Sequence, residues 1–137
     1  MRKIEGKIIK VMRECLDGKR PAGEYTLTKR DRIEFTDNVV KYFLWNSDIF
    51  KVTKYISRLK FEFSDNGYNT QTTHSRLKAL LRGFITPRNI ELCVRHGYIC
   101  DNFGCKLYSL SARNSVVLDD MYNIVESYEE YSRAVEE

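Results

Sequence analysis

The sequence predicts a single α+β domain: an antiparallel β-meander covered by an N-terminal helix and a middle helix, followed by a long C-terminal helix. Its length of 137 residues is that of about one typical domain. Apolar and polar residues alternate with a period of two in the first half, whereas apolar residues recur at helical spacing near both ends. We therefore expect one domain over residues 1–137, with a core over 2–112 and an acidic amphipathic helix over 115–136.

The first helix is predicted over residues 3–16. Its apolar residues recur at the three- and four-residue spacings of a buried helical stripe and are Ile4, Ile8, Val11, Met12 and Cys15. Gly18 is expected to end this helix, because glycine adopts the left-handed conformation of a helix C-terminus at little cost. Pro21 and Gly23 then predict a loop over 19–23.

A series of strands is predicted next, around residues 25–28, 33–36, 39–45, 49–53 and 59–63. Turn-forming residues follow the third and the last of them. Four aromatic residues of this region are predicted to fill the core, and they are Phe43, Trp45, Phe61 and Phe63. Consecutive short strands with tight turns indicate an antiparallel meander with one covered face.

A second helix is predicted to begin at Thr70 or Thr72, whose side-chain oxygen would accept a free backbone N–H. Its expected buried stripe consists of Leu77, Leu80, Leu81 and Phe84. Pro87 marks its boundary. Two more short strands are expected around 90–95 and 106–110, or alternatively a hairpin between them around Gly97.

The last segment, residues 116–135, is predicted to be helical. Its apolar seam has alternating spacings of four and three, typical of a helix that packs along another helix, and consists of Val117, Met121, Ile124, Tyr128, Tyr131 and Val135. The outer half of this helix, with Tyr128 and Tyr131, is interpreted as an association surface for a homodimer or for a basic target. The alternative is a helix that lies wholly on its own sheet.

The middle of the chain resembles a known family. From Tyr68 the sequence reads Tyr-Asn-Thr-Gln-Thr-Thr-His-Ser-Arg-Leu-Lys-Ala-Leu, and a second similar stretch runs from Glu91 to Ile99. The pattern resembles small accessory proteins of tailed bacteriophages, in which an aromatic residue and Thr-x-Thr-Thr precede a helix that begins Arg-Leu-Asn-Ala-Leu. Tyr68 stands where many members have Trp, and Lys78 stands where Asn is usual. The resemblance covers roughly residues 2–110 and implies a phage origin without implying catalytic residues.

Charge is unevenly distributed along the chain. Residues 1–100 hold 20 Lys and Arg against 11 Asp and Glu, whereas residues 101–137 hold 3 against 8. A basic body attracts phosphate backbones or an acidic partner, although the same mixed charge also keeps a small protein soluble. The candidate contact residues lie on the two helices and are Lys7, Lys10 and Arg13 on the first, and Arg76, Lys78 and Arg82 on the second.

The start of the second helix is a candidate anion site. Free N–H groups and the helix dipole favour anions there, and Thr72, Thr73, His74 and Arg76 would add donors. The alternative is ordinary threonine capping. Tyr68 is a further candidate binding residue because tyrosine is common at interfaces. A sheet face bearing Tyr42 and Tyr55 among lysines would stack nucleic-acid bases.

A possible metal site lies near the second pair of strands. Cys93, His96, Cys100 and Cys105 give the pattern C-x2-H-x3-C-x4-C, with four soft ligands within thirteen residues. Zinc takes four such ligands in a tetrahedron. Cys93 and His96 would, however, project to opposite faces of a strand over 90–96. We therefore favour reduced cysteines in a small sheet, with no metal and no cofactor.

These observations favour a binding function. The chain has no phosphate-binding loop, dinucleotide fingerprint, metalloprotease motif or paired-carboxylate motif, so we do not expect an enzyme. Together with the resemblance, this predicts a phage accessory protein that binds and inhibits a host protein or nucleoprotein in the host cytoplasm, much as anti-CRISPR proteins do. The alternatives are a basic nucleic-acid-binding protein and a virion assembly component. No apolar run approaches the ~18 residues of a membrane span, so no membrane partner is expected.

Overall fold

A computed structural model describes residues 2–85, 91–121 and 123–131. Within these ranges the helices are α1 (Lys3–Leu16) and α2 (Gln71–Phe84). The strands are β1 (Gly23–Thr26), β2 (Asp31–Thr36), β3 (Val39–Leu44), β4 (Ser47–Lys54), β5 (Arg58–Phe63), β6 (Leu92–Arg95), β7 (Tyr98–Asp101), β8 (Lys106–Ser109), β9 (Ala112–Asp119) and β10 (Ile124–Tyr131). No helix in the described ranges has the length and apolar character that a bilayer crossing requires.

The strands form two antiparallel sheets. The larger sheet has the order β1-β2-β3-β4-β5-β9-β10, so that five consecutive strands form a meander and β9 returns to pair with β5. The smaller sheet has the order β6-β7-β8. Its first two strands are joined by a tight turn at His96 and Gly97, both of which have positive φ.

The core lies between one face of the larger sheet and the two helices. Alternate residues of β3 point into it, and these are Val40, Tyr42 and Leu44. Phe84 of α2 packs on the rings of Phe50 and Phe61, with both centroid separations at 5.8 Å. The helices therefore cover the sheet through direct aromatic and aliphatic packing, which supplies the main apolar burial of the fold.

The prediction of a long C-terminal helix is wrong. Residues 112–119 and 124–131 form the antiparallel pair β9 and β10 instead. The Asp119 carboxylate accepts the backbone N–H groups of Met121 and Asn123, both at 2.9 Å. This local turn competes with helical hydrogen bonding and reverses the chain between the two strands.

The apolar seam was misleading because three consecutive apolar residues of β9 are buried. Val116 and Leu118 lie in the core, and Val117 on the opposite face is also buried, so the inside–outside alternation that marks a strand is interrupted there. Val135, the last residue of the predicted seam, lies outside the described residues. The fold class is corrected accordingly: the protein is mostly antiparallel β with two helices.

A buried ion network around Arg76 joins both helices to the sheet. The Arg76 side chain is fully buried, and its Nη1 donates to Oε2 of Glu5 on α1 at 2.9 Å. Its Nε donates to Oδ1 of Asp31 on β2 at 3.0 Å. Asp31 also accepts hydrogen bonds from the hydroxyl groups of Tyr42 and Thr28. One guanidinium therefore connects α1, α2 and β2.

Both carboxyl groups of this network favour the ionised form. Burial raises the pKa of Asp31, but hydrogen bonds from Arg76 and two hydroxyls outweigh burial, so that the pKa lies below its ordinary value of 3.8. Burial likewise raises the pKa of Glu5, and donors on Ser75, the Arg2 backbone and Arg76 lower it below 4.5. Arg76 thus holds two negative charges out of water.

Replacement of Arg76 by methionine is expected to lower the free energy of unfolding by about 3–5 kcal/mol, because it leaves two buried carboxylates without their cation. Arg82→Met is the matched control on the same helix, where the half-exposed side chain should cost no more than about 0.5 kcal/mol. Urea unfolding followed by circular dichroism measures both. An Arg76→Met variant that loses less than about 1 kcal/mol would show that the network does not hold the helices.

Candidate functional site

A cleft of about 490 Å³ opens between the β3–β4 turn and the start of α2. Its strand side consists of Arg30, Leu44, Trp45, Asn46, Ser47 and Ile49. Its helix side consists of Tyr68, Thr70, Thr72 and Thr73. This volume is within the range of ordinary ligand sites, roughly 300–1,000 Å³. We call this site the aromatic cleft, because its two most exposed apolar rings are Trp45 and Tyr68.

Trp45 lies in the tight turn between β3 and β4, where its φ is +58°. A bulky side chain rarely adopts this left-handed conformation, which costs about 1–3 kcal/mol. The Trp45 N–H donates to the carbonyl of Arg30 at 2.6 Å, which ties the turn to the chain just before β2. The ring is 61% exposed, so the prediction that Trp45 fills the core is wrong.

The floor of the aromatic cleft is apolar because of a β-bulge. Tyr42 pairs with Phe50 and Phe43 pairs with Asp48, so Ile49 is an extra residue on β4. Ile49 and Phe50 are consequently both buried, although a regular strand would turn one of them outward. Bulges of this kind re-aim side chains next to functional sites, and here the bulge directs Ile49 beneath the cleft.

The start of α2 supplies polar groups to the opposite wall. Thr70 is the N-cap, and its hydroxyl oxygen accepts the Thr73 N–H at 3.1 Å. The half-buried Thr72 makes no side-chain hydrogen bond with other residues of the described ranges. Arg30 is the one charged residue among the described residues that line the cleft, and its Nε is 3.9 Å from the Asp31 carboxylate. The cleft therefore has a positive end and hydroxyl donors.

His74 supports the cleft from behind instead of lining it. It is buried, with Nε2 at 3.3 Å from Oδ2 of Asp65. The other oxygen of Asp65 accepts the Gly67 N–H at 2.9 Å, and the Asp65 carbonyl accepts the Tyr68 N–H at 2.9 Å. Through Asp65, His74 helps to hold the loop that presents the Tyr68 ring.

The basic residues singled out in the sequence lie in two places away from the cleft. Lys7 and Lys10 are exposed on α1. Arg13 donates to the Gly83 carbonyl, and its guanidinium is 5.1 Å from the Phe84 ring centroid.

The basic residues of α2 have three different environments. Arg76 is buried in the ion network, and Lys78 is half-buried. Arg82 is exposed, with Nη2 at 3.8 Å from Glu91. Of the α2 donors predicted for an anion site, Thr72 and Thr73 line the cleft, whereas His74 and Arg76 do not.

The remaining candidate tyrosines lie on the larger sheet and its turns. Tyr42 is fully buried and is not available for stacking on bases. Tyr55 and Tyr128 are exposed, and Tyr131 is the last residue of the edge strand β10.

The cysteine–histidine run is spread over the smaller sheet. Cys93 and Cys100 are opposite each other on β6 and β7, His96 lies in the turn between them, and Cys105 is exposed before β8. Within the described ranges, no group of three or more His, Cys, Asp or Glu residues is placed to hold a metal ion.

Sequence reasoning missed Trp45, Arg30 and Asn46 as cleft residues. The position of Trp45 could have been predicted from the alternation of the strand. Val40, Tyr42 and Leu44 face the core, so residue 45 belongs to the set that faces away from it. Arg30 and Asn46 lie in connections whose position depends on strand pairing, so the sequence carried no comparable signal for them.

Comparison with models of protein families, with curated proteins and with solved structures finds no match. Function is therefore argued from the site itself.

Substitution of Trp45 by glycine is expected to leave the free energy of unfolding unchanged or to raise it by up to about 1 kcal/mol. Glycine tolerates the positive φ, and the exposed indole contributes little burial. Leu44→Gly is the control, because Leu44 is a buried strand residue and its loss should cost at least about 2 kcal/mol. If thermal and urea unfolding show that Trp45→Gly is as damaging as Leu44→Gly, the ring is part of the core and the site is misassigned.

Proposed function

We propose that this chain is a non-enzymatic binding protein whose partner docks at the aromatic cleft. The observation that carries the proposal is the exposed Trp45 ring, held by a strained backbone next to a second exposed ring, Tyr68. Backbone strain of this kind persists where the surrounding structure enforces it, and it is concentrated at functional sites.

The composition of the cleft suits recognition more than chemistry. Trp, Tyr and Arg dominate the energetic hot spots of protein interfaces, and Trp45, Tyr68 and Arg30 are the prominent side chains here. The acid and base groups of the segments behind it, His74 with Asp65 and Arg76 with Asp31, are buried and engaged with each other. A general acid or base needs access to its substrate, which these groups lack.

The resemblance to tailed-phage accessory proteins supports a particular kind of partner. On that basis we propose that the chain inhibits a host protein or nucleoprotein in the host cytoplasm. The motif that carries the resemblance runs from Tyr68 through the first turns of α2 and includes Tyr68, Thr70, Thr72 and Thr73, all of which line the cleft. The inhibitory partner would therefore contact the part of the chain that resembles the family.

A second candidate function is nucleic-acid binding through α1. Lys3, Lys7 and Lys10 are exposed on this helix, and none of them is ion-paired with another residue of the described ranges. Unpaired surface lysines attract phosphate backbones through counterion release, without reading the base sequence. This surface is separate from the aromatic cleft, so the two candidates can be tested independently.

The test is affinity capture from a nuclease-treated lysate of the proposed bacterial host. Trp45→Ala and Tyr68→Ala are each expected to weaken capture of the partner by about thirtyfold or more, as for hot-spot residues. Phe103→Ala is the matched control, because Phe103 is 85% exposed and lies outside the cleft.

Equal capture by Trp45→Ala and Phe103→Ala would contradict docking at the cleft. A parallel capture from untreated lysate tests the second candidate: a partner captured only there, and lost with Lys7→Glu and Lys10→Glu combined, would support nucleic-acid binding through α1 instead.

A further inference from the structure

We infer that the aromatic cleft binds a nucleotide unit, with its base against Trp45 and Tyr68 and its phosphate at Arg30. The inference rests on the proposed function, since it names the chemistry that the same site recognises. In a host nucleoprotein, the nucleic-acid component would supply this unit.

The aromatic surface fits a nucleobase. The rings of Trp45 and Tyr68 are 61% and 59% exposed, yet both line a single cleft of about 490 Å³ with an apolar floor. Bases stack on such rings whatever their sequence, because every base has a π-face. A flat ring bound there would cover two apolar surfaces that are otherwise in water.

The charge of the cleft fits a phosphate. Arg30 brings a guanidinium to the mouth, and the residues that line the cleft include no carboxylate. The Asp31 carboxylate behind Arg30 is occupied by Arg76, Tyr42 and Thr28. Arginine binds phosphate with two parallel hydrogen bonds where geometry allows.

The polar rim favours a nucleobase over a phosphorylated tyrosine side chain. Asn46 is exposed at the cleft and makes no side-chain hydrogen bond within the described ranges. An amide of this kind donates to and accepts from the edge of a base, most often adenine. A phenyl ring offers no such edge.

The experiment uses the fluorescence of Trp45, the single tryptophan of the chain. The full chain is titrated with AMP, adenosine, inorganic phosphate, O-phosphotyrosine and a five-residue deoxyadenylate. AMP is expected to quench Trp45 and to bind about tenfold or more tightly than adenosine, because the phosphate adds charge-assisted hydrogen bonds. Arg30→Gln should abolish this difference, whereas Arg58→Gln, an exposed arginine outside the cleft, should preserve it.

The other ligands of the titration distinguish a single strand from a free nucleotide as the source of the bound unit. They also give the results that would overturn the inference. Tighter binding of the deoxyadenylate than of AMP indicates a single strand, and equal or weaker binding indicates a free nucleotide; both support a nucleotide site. Quenching by no ligand, equal affinity for AMP and adenosine, or tighter binding of O-phosphotyrosine would each overturn it. If the nucleotide titration fails in one of these ways but partner capture still depends on Trp45, the proposed function stands. Failure of the nucleotide inference can therefore be distinguished from failure of the proposed function.

Discussion

The buried guanidinium of Arg76 ties both helices to the larger sheet. It is the cation shared by Glu5 of α1 and Asp31 of β2, and all three side chains are almost completely out of water. A buried charge without a partner is costly, so the three elements that carry these groups have to assemble together. Apolar burial is not directional, whereas the hydrogen bonds of Arg76 hold each carboxylate in one place. The ion network fixes their position.

The aromatic cleft follows from that position. Arg76 fixes the first turns of α2, which form one wall, and its partner Asp31 adjoins Arg30, whose carbonyl accepts the Trp45 N–H. On the same side of the cleft, the loop that carries Tyr68 is held by the contact between His74 and Asp65. Both walls are therefore tied to buried polar contacts, and a site held in this way loses little freedom when a ligand binds.

Local patterns were sufficient for the two helices and the first strands. The apolar stripe from Ile4 to Cys15 and the threonine cap of α2 act within a few residues, and the structure contains both elements. The C-terminal strands were not predictable in the same way. β9 lies between β5 and β10 and pairs with both along its edges, and this long-range pairing, which no local pattern shows, makes residues 112–119 a strand.

The sequence predicted those residues of the site whose positions are set by local structure. Tyr68 and Thr72 belong to the segment that leads into α2, which is local, and the sequence marked both as binding residues. Arg76 was interpreted as a surface cation because its carboxylate partners are 71 and 45 residues away in the chain. Pairing across such distances is decided by the fold and leaves no short-range pattern.

The most direct measurement is the pH dependence of the free energy of unfolding, compared between the wild type and Glu5→Gln or Asp31→Asn. Both carboxyl groups have lowered folded-state pKa values, so their contribution is complete above about pH 4.5 and is lost as the pH falls through those lower values. Between about pH 4.5 and pH 2, each variant should therefore show a slope shallower than wild type by up to about 1.4 kcal/mol per pH unit. Equal slopes in all three proteins, or a wild type that gains stability on acidification, would contradict an ionised network centred on Arg76.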